Sequence, residues 1–391
     1  VFVGPRPAAA HWVGTWATAV AMPSAGPALA GYTDVTLRQR VRVSIGGDTV
    51  RLRLSNGYGR DPLVVRTTTL ARPGARPGDV DPATLKPVTF CGSPDVRIPP
   101  GAEVVSDPVR FAVPTGGALI VSSHLPGPTG PLTYHESAHS TGWLADGALT
   151  DVASGAVFSR RTTSYWILAG VDVRTEVDGA VVCFGDSITD GTGSTPDADR
   201  RWPDRLAARM LAGPPEERFG VLNAGIGGNR LLLDAGSPGQ GVNALARLER
   251  DVLARTGVRT VVVLEGINDI QQDPSQYDPT QLIAAYRQIA LRAHDRGLRV
   301  VGGTILPFQG WHKWTPERES VRAAVNEWIR GTDEFDGVVD FDAATCDPGQ
   351  PLRLLPAYDS GDHLHPSDAG YQAMADAVDL KLLRPALSFP G

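Results

Sequence analysis

A short apolar run, Val181-Val182-Cys183-Phe184, breaks off into Gly185-Asp186-Ser187. This reads as a buried strand that delivers a serine to the end of a sheet. In an open α/β sheet, ligands bind in the crevice beyond the carboxyl ends of the strands. A serine placed there becomes a nucleophile if a base can reach it. The late segment Asp362-His363-Leu364-His365-Pro366 supplies candidate bases. Two more polar blocks, Asn223-Ala224-Gly225-Ile226-Gly227-Gly228-Asn229 and Gly266-Ile267-Asn268-Asp269, each follow a strand-like run. Four such blocks, at strand exits or in a late loop, read as one active site.

In order and context the four blocks resemble those of the SGNH (GDSL-type) hydrolases, across residues 178–382. Ser187 matches the first block, Gly228 the second, Asn268 the third and His365 the fourth, with Asp362 three residues before the histidine. Gly-Asp-Ser alone is a weak signal, whereas four blocks in sequence are specific. The first block reads Gly-Asp-Ser-Ile and does not end in leucine, a conservative apolar swap. The resemblance implies a triad of Ser187, His365 and Asp362. It also implies an oxyanion hole built from the backbone N–H groups of Ser187 and Gly228 and the Asn268 side-chain amide. The activity implied is cofactor-free hydrolysis of carboxylic esters through an acyl-enzyme on Ser187. Carbohydrate O-deacetylation and acyl transfer would use the same site.

The residue chemistry agrees with these roles and leaves some alternatives open. A serine hydroxyl needs a base to take its proton, and a carboxylate on the other ring nitrogen fixes the tautomer of that base. Asp359 is a rival to Asp362 as the orienting carboxylate, and His363 a rival to His365 as the base. The blander reading is that this acidic loop only caps a final helix through Ser367 and Asp368. Gly225, Gly227 and Gly228 allow the backbone to bend closely round a ligand; the blander alternative is an ordinary glycine turn beside a loop-capping Asn268.

A different chemistry is suggested by His135-Glu136-Ser137-Ala138-His139, which matches the H-E-x-x-H signature of zinc proteases. That signature needs both histidines on one helical face, yet this segment sits among strand and turn signals after Pro131 and before Gly142. No third ligand at a familiar spacing is evident. Surface histidines on a loop or edge strand, reaching toward the C-terminal site, are therefore expected, with a metalloprotease as a distant alternative. There is no G-x-S-x-G elbow. Gly225-Ile226-Gly227-Gly228 lacks the spacing of a dinucleotide fingerprint. No metal or cofactor is expected.

The elements that must position these residues change character near residue 175. Before it, Val41, Val43 and Ile45 alternate with polar residues, Gly46-Gly47-Asp48 follows, and Val50, Leu52 and Leu54 alternate again. That pattern predicts a β-hairpin with one buried face. More strands are expected at Val64–Leu70, Pro108–Val113, Ala118–His124 and Tyr165–Val173, giving an antiparallel β-sandwich. After residue 178 strands and helices alternate: strands near Val181–Phe184, Val221-Leu222, Thr260–Leu264, Arg299–Thr304 and Val338–Phe341, helices near Trp202–Leu211, Val242–Ala254, Thr280–Arg296 and Pro316–Arg330. Tyr371, Met374, Ala375 and Val378 mark one face of a last helix. Right-handed βαβ units then imply a parallel sheet with helices on both faces, and the family resemblance implies the same three-layer α/β/α flavodoxin-like architecture. Two domains are expected: a β-sandwich-like accessory domain over residues 1–175 and the hydrolase domain over residues 176–391. With 44 glycines and 32 prolines, long loops are expected.

Composition sets outer limits. At 42% hydrophobic and 20% charged residues, the 391-residue chain suits a compact fold. A net charge of −6 gives no basis for nucleic-acid binding. No run approaches the ~20 apolar residues of a membrane span. The expected partner is a small-molecule or glycan ester, with oligomeric state left open. A non-enzymatic alternative makes the sandwich a glycan-binding module. Three cysteines allow one disulfide at most: Cys183 is expected buried and free, and Cys91 and Cys346 are the only loop pair. The Pro/Ala-rich start at Val1, without methionine, fits a secreted protein whose leader has been removed, and equally a trimmed chain. Finally, Pro307–Trp314 packs three aromatic residues beyond a predicted strand. Trp311 and Trp314 are candidates for substrate binding, with a preference for short acyl chains; alternatively they seal the helix that begins near Thr315.

Overall fold

The computed structural model describes residues 9–384. The segment read as a mature start falls mostly on residues 1–8, outside the described residues. Five parallel strands form the C-terminal sheet, side by side in the order Gly220–Gly225, Ala180–Gly185, Val258–Leu264, Arg299–Gly303 and Gly337–Val339. The strands are apolar on both faces because both faces are covered. Val182 and Phe184 point into one core with Leu282, Ile289 and Val325, whereas Val181 and Cys183 point into another with Trp202, Leu206 and Tyr371. Helices Pro279–His294 and Pro316–Gly331 thus cover one face, and Trp202–Ala212 and Asp368–Ala377 the other. The three-layer architecture implied by the sequence is the one observed.

Strand order places the chemistry. The first strand of this sheet in the chain, Ala180–Gly185, lies between the second and the third. Chain connections therefore leave it in opposite directions, and this switch point opens a crevice at the carboxyl ends. Ser187, the Gly225–Asn229 loop and Asn268 follow the ends of these three adjacent strands.

The N-terminal region is antiparallel and β-rich. A five-stranded sheet includes His11–Ala17, Leu168–Thr175 and Gly47–Ser55, and a six-stranded sheet includes Gly142–Asp146, Val35–Arg42 and Ala118–Leu125. The expected hairpin is not formed. Val35–Arg42 pairs with Ala118–Leu125 and Gly142–Asp146, whereas Gly47–Ser55 pairs with Leu168–Thr175 and two short strands. Gly46-Gly47 carries the chain from one sheet to the other. Alternation had marked the buried faces correctly, since Val41, Val50, Leu52 and Leu54 are fully buried. It does not specify which strand lies alongside, and two sheets stacked face to face bury both rows. A Cβ at Gly46 would lie 2.5 Å from the Val113 carbonyl oxygen, and one at Gly47 2.5 Å from that of Arg174. Glycine is needed there for close passage.

The β-rich region packs directly on the parallel sheet. Gly14 N–H donates to Thr256 O at 2.9 Å, and Val221 N–H donates to Ser44 Oγ at 2.8 Å. Asp172 accepts from Arg51 and from Thr256. Residues of both regions share one hydrophobic core. Cys183 is buried, and Cys91, Cys183 and Cys346 are all free thiols, so the Cys91–Cys346 bridge is not formed. Among the described residues no helix is long and apolar enough to cross a membrane.

The regions pack closely at Gly220, where a Cβ would sit 2.0 Å from the Gly14 carbonyl oxygen. Overpacking such a site costs about 1–3 kcal/mol. Gly220→Ala should therefore lower the urea midpoint of the whole chain without changing the m-value. A midpoint equal to wild type would show that this contact is loose.

Candidate active site

Ser187 opens the helical turn Ser187–Asp190 directly after Ala180–Gly185. Asp186 caps the turn by accepting the Ile188 N–H at 2.9 Å. Ser187 Oγ lies 2.8 Å from His365 Nε2, and His365 Nδ1 lies 2.6 Å from Asp362 Oδ2. The other oxygen of Asp362 accepts the backbone N–H groups of Leu364 at 2.9 Å and His365 at 2.8 Å. One carboxylate thus aims the imidazole and shapes the turn that carries it. Burial pushes the Asp362 carboxyl up, but the bonds from the His365 ring and the two backbone groups outweigh it, holding the group well below the usual range. It is a permanent anion at neutral pH.

The rival pair forms separately. His363 Nδ1 is 2.5 Å from Asp359 Oδ2, and the half-exposed His363 makes no hydrogen bond to Ser187. The final helix is capped by Ser367, which accepts the Gly370 N–H, so capping does not occupy Asp362.

Three N–H donors come from the first three blocks. Among the described residues neither the Ser187 nor the Gly228 backbone N–H has an acceptor. Gly228 has φ +75, a region that favours glycine. Asn268 Nδ2 donates to Asn229 O at 2.9 Å, and its carbonyl oxygen accepts from Gln271 at 2.8 Å and Gln272 at 3.0 Å. These bonds fix the amide with its NH₂ group toward the glycine loop. Gln272 also donates to Gly228 O at 3.2 Å, tying the second block to the third.

Beneath the blocks lies a polar cluster that the sequence analysis missed. The fully buried Arg247 donates to Gly185 O and Ala224 O at the ends of two strands, to Asn229 Oδ1, and to Glu265 and Asp251. Its guanidinium lies 4.2 Å from the Phe184 ring centroid. Burial and the neighbouring Asp186 push the Glu265 carboxyl well above its ordinary range, although Arg247 opposes this. Burial likewise pushes Asp186 up to about 7. No motif marks Arg247, because its role depends on carbonyls from separate strands.

The aromatic loop divides. Trp311 sets its ring 6.4 Å from that of His365, edge to face, and its Nε1 donates to Gln271 at 3.2 Å. Trp314 donates to Glu319, on the first turn of Pro316–Gly331, and so seals that helix. The H-E-x-x-H segment is not helical: Tyr134–His135 is a short strand, and His139 has φ +49. The two histidines cannot share a helical face. His135 is buried, contrary to its expected surface position, and bonds Asp190 at 3.0 Å, while Glu136 is exposed.

Asp186 offers a test of the buried electrostatics. Its folded-state pKa of about 7 lies above the ordinary 3.8, so the folded chain holds that proton more tightly than the unfolded chain. Its stabilising contribution is then present at low pH and is lost as pH rises from 3.8 to about 7. Asp186→Asn keeps an oxygen to cap Ile188 but has no such loss. Its unfolding free energy relative to wild type should rise between pH 5 and pH 8. A difference that stays flat with pH would contradict the assignment.

Residues 183–373 match the GDSL-like Lipase/Acylhydrolase family. Solved structures with similarity include a GDSL-like lipase from Bacteroides thetaiotaomicron (20% identity, 52% of this chain and 87% of that chain, TM-score 0.39). An acetylxylan esterase from Geobacillus stearothermophilus shows 25% identity over 51% of this chain and 91% of its own, with TM-score 0.39. A member of the lipolytic protein G-D-S-L family from Veillonella parvula shows 22% identity over 51% and 94%, with TM-score 0.38. No curated protein matches the chain. The chain therefore carries, over residues 183–373, a GDSL-like lipase/acylhydrolase domain of the SGNH fold, joined to an antiparallel β-rich N-terminal region.

Proposed function

We propose that the protein is a serine esterase that hydrolyses carboxylic esters through an acyl-enzyme on Ser187. The observation that carries this reading is the continuous hydrogen-bonded series from Ser187 Oγ through His365 to Asp362, at 2.8 and 2.6 Å. His365 Nε2 takes the hydroxyl proton as Oγ attacks the ester carbonyl, and Asp362 stabilises the imidazolium that forms. Negative charge on the carbonyl oxygen is met by the Ser187 and Gly228 N–H groups and the Asn268 amide. The bond to the alcohol breaks as His365 returns its proton to the leaving oxygen. A water molecule, deprotonated by His365, then releases the acid and restores Ser187. The same acyl-enzyme, met by an alcohol, would give acyl transfer. An acetylated sugar as substrate would make the reaction a deacetylation.

Ser187→Ala should lower kcat for p-nitrophenyl acetate by ~10⁴–10⁶. His365→Ala should match it, and the double variant should be no slower than either single one, because the pair acts as a unit. His363→Ala should stay near wild type. A folded Ser187→Ala enzyme that keeps about a tenth of wild-type kcat would end the proposal; a severe loss in His363→Ala would move the base. Activity should also survive EDTA.

The edge-to-face contact of Trp311 with His365 supports this indole as a wall of the substrate cleft. Across p-nitrophenyl esters from acetate to palmitate, short chains should be preferred, and Trp311→Ala should flatten that profile. A long-chain optimum, or an unchanged kcat/KM profile in the variant, would remove the specificity reading and leave the esterase reading intact.

A further inference from the structure

His135 has no part in the chemistry described above, yet it is buried within one residue contact of the nucleophile turn. Its Nδ1 lies 2.8 Å from Ala19 O, and its Nε2 lies 3.0 Å from Asp190 Oδ1 and 3.1 Å from Ser137 O. All three partners are oxygen acceptors, so both ring nitrogens donate and the ring is an imidazolium. Burial opposes that charge, but Asp190 and the hydrogen bonds prevail and hold the His135 pKa above its ordinary value. Asp190 ends the turn that begins at Ser187. Its second oxygen, Oδ2, accepts the Gly227 N–H at 3.1 Å, one residue before Gly228.

Backbone packing makes this path stiff. A Cβ at Gly225 would lie 2.2 Å from Asp190 N, so the nucleophile turn and the glycine loop touch main chain to main chain. Asn223 Nδ2 donates to Thr189 O at 2.8 Å, while its Oδ1 accepts the Gly225 N–H at 2.8 Å. Asp190 is therefore a carboxylate shared by the turn that carries Ser187, the loop that carries Gly228, and a side chain from the N-terminal β-rich region.

We propose that His135 is a positioning residue for ester hydrolysis: by anchoring Asp190 it fixes the Gly227–Gly228 loop against Ser187, so the N-terminal β-rich region completes the oxyanion site. This rests on the reading of Gly228 as an oxyanion donor. Without His135, a buried Asp190 carboxylate loses its partner and can turn away from Gly227. The Gly228 N–H then no longer points where negative charge develops. Ground-state binding, which needs little from that donor, is left almost intact.

The test compares His135→Ala, His135→Gln and Asp190→Asn with wild type on p-nitrophenyl acetate and on the matching thionoester. Complete loss of an oxyanion donor costs about 10²–10³ in kcat. A displaced donor should cost less, so His135→Ala should lose about tenfold or more in kcat with KM nearly unchanged. Sulfur accepts hydrogen bonds poorly, so the thionoester rate should fall less and the ester-to-thionoester ratio should drop. His135→Gln, which keeps an N–H toward Asp190, should recover most of the ratio. His135→Ala/Asp190→Asn should be no worse than the poorer single variant. A purely structural role would lower the melting temperature without moving the ratio. If His135→Ala does not fold, Asp190→Asn and His135→Gln carry the same ratio readout. Wild-type kcat and ratio in folded variants, with Ser187→Ala inactive, would overturn this inference alone. An active Ser187→Ala would overturn the esterase reading beneath it.

Discussion

Arg247 is the charge around which the four polar blocks of the candidate site assemble. Its fully buried guanidinium donates to carbonyls at the ends of two adjacent parallel strands, to Asn229 in the glycine loop, and to Glu265 beyond the third strand. Strand ends are where a sheet leaves its carbonyl groups without partners, and buried carbonyls must be satisfied. One planar cation with five donors meets that need for several segments at once. Because these bonds converge from different strands, the blocks that carry Ser187, Gly228 and Asn268 cannot shift independently. Burying this charge is costly unless it is paired; Asp251, held against burial below its ordinary range by the surrounding arginines, provides the opposite charge, while Glu265 serves as a hydrogen-bond acceptor.

Above this cluster the site divides its electrostatic work between two kinds of carboxyl group. Asp362 is half-exposed, bonded by backbone N–H groups and the His365 ring, and held as an anion. Asp186 and Glu265 are enclosed, and burial drives them toward the neutral form. In the proposed esterase mechanism, that difference keeps negative charge behind the imidazole, where it would stabilise a cation, and limits it below the serine, where it would oppose a developing oxyanion. The same composition of acids in a solvated loop would not make that distinction.

The β-rich region is more than an attachment. It shares a core with the parallel sheet, and Asp172 and Thr256 link the regions in a polar contact. His135 extends into the nucleophile turn itself. The H-E-x-x-H spacing does not put its histidines on one helical face: His135 ends a two-residue strand, His139 lies beyond it in left-handed backbone, and the buried His135 ring meets one carboxylate and two carbonyls.

The sequence alone determined the alternation of strands and helices after residue 178, since periodicity reflects which faces are buried. It also located the four polar blocks at strand exits and in a late loop, where the structure places them. Asp362 before His365 was legible for a local reason, as a three-residue turn lets a carboxylate reach a ring. Pairing was not legible. Val41 and Val50 revealed buried faces but not that their strands belong to opposite sheets, because burial is a property of one strand and pairing a property of two. Only the tertiary structure gave Arg247 its carbonyls, separated Trp311 at the histidine from Trp314 at a helix start, and brought His135 to Asp190. Apart from the local Trp314–Glu319 bond, those interactions join residues distant along the chain, and their energies exist only once the fold has removed the water between them.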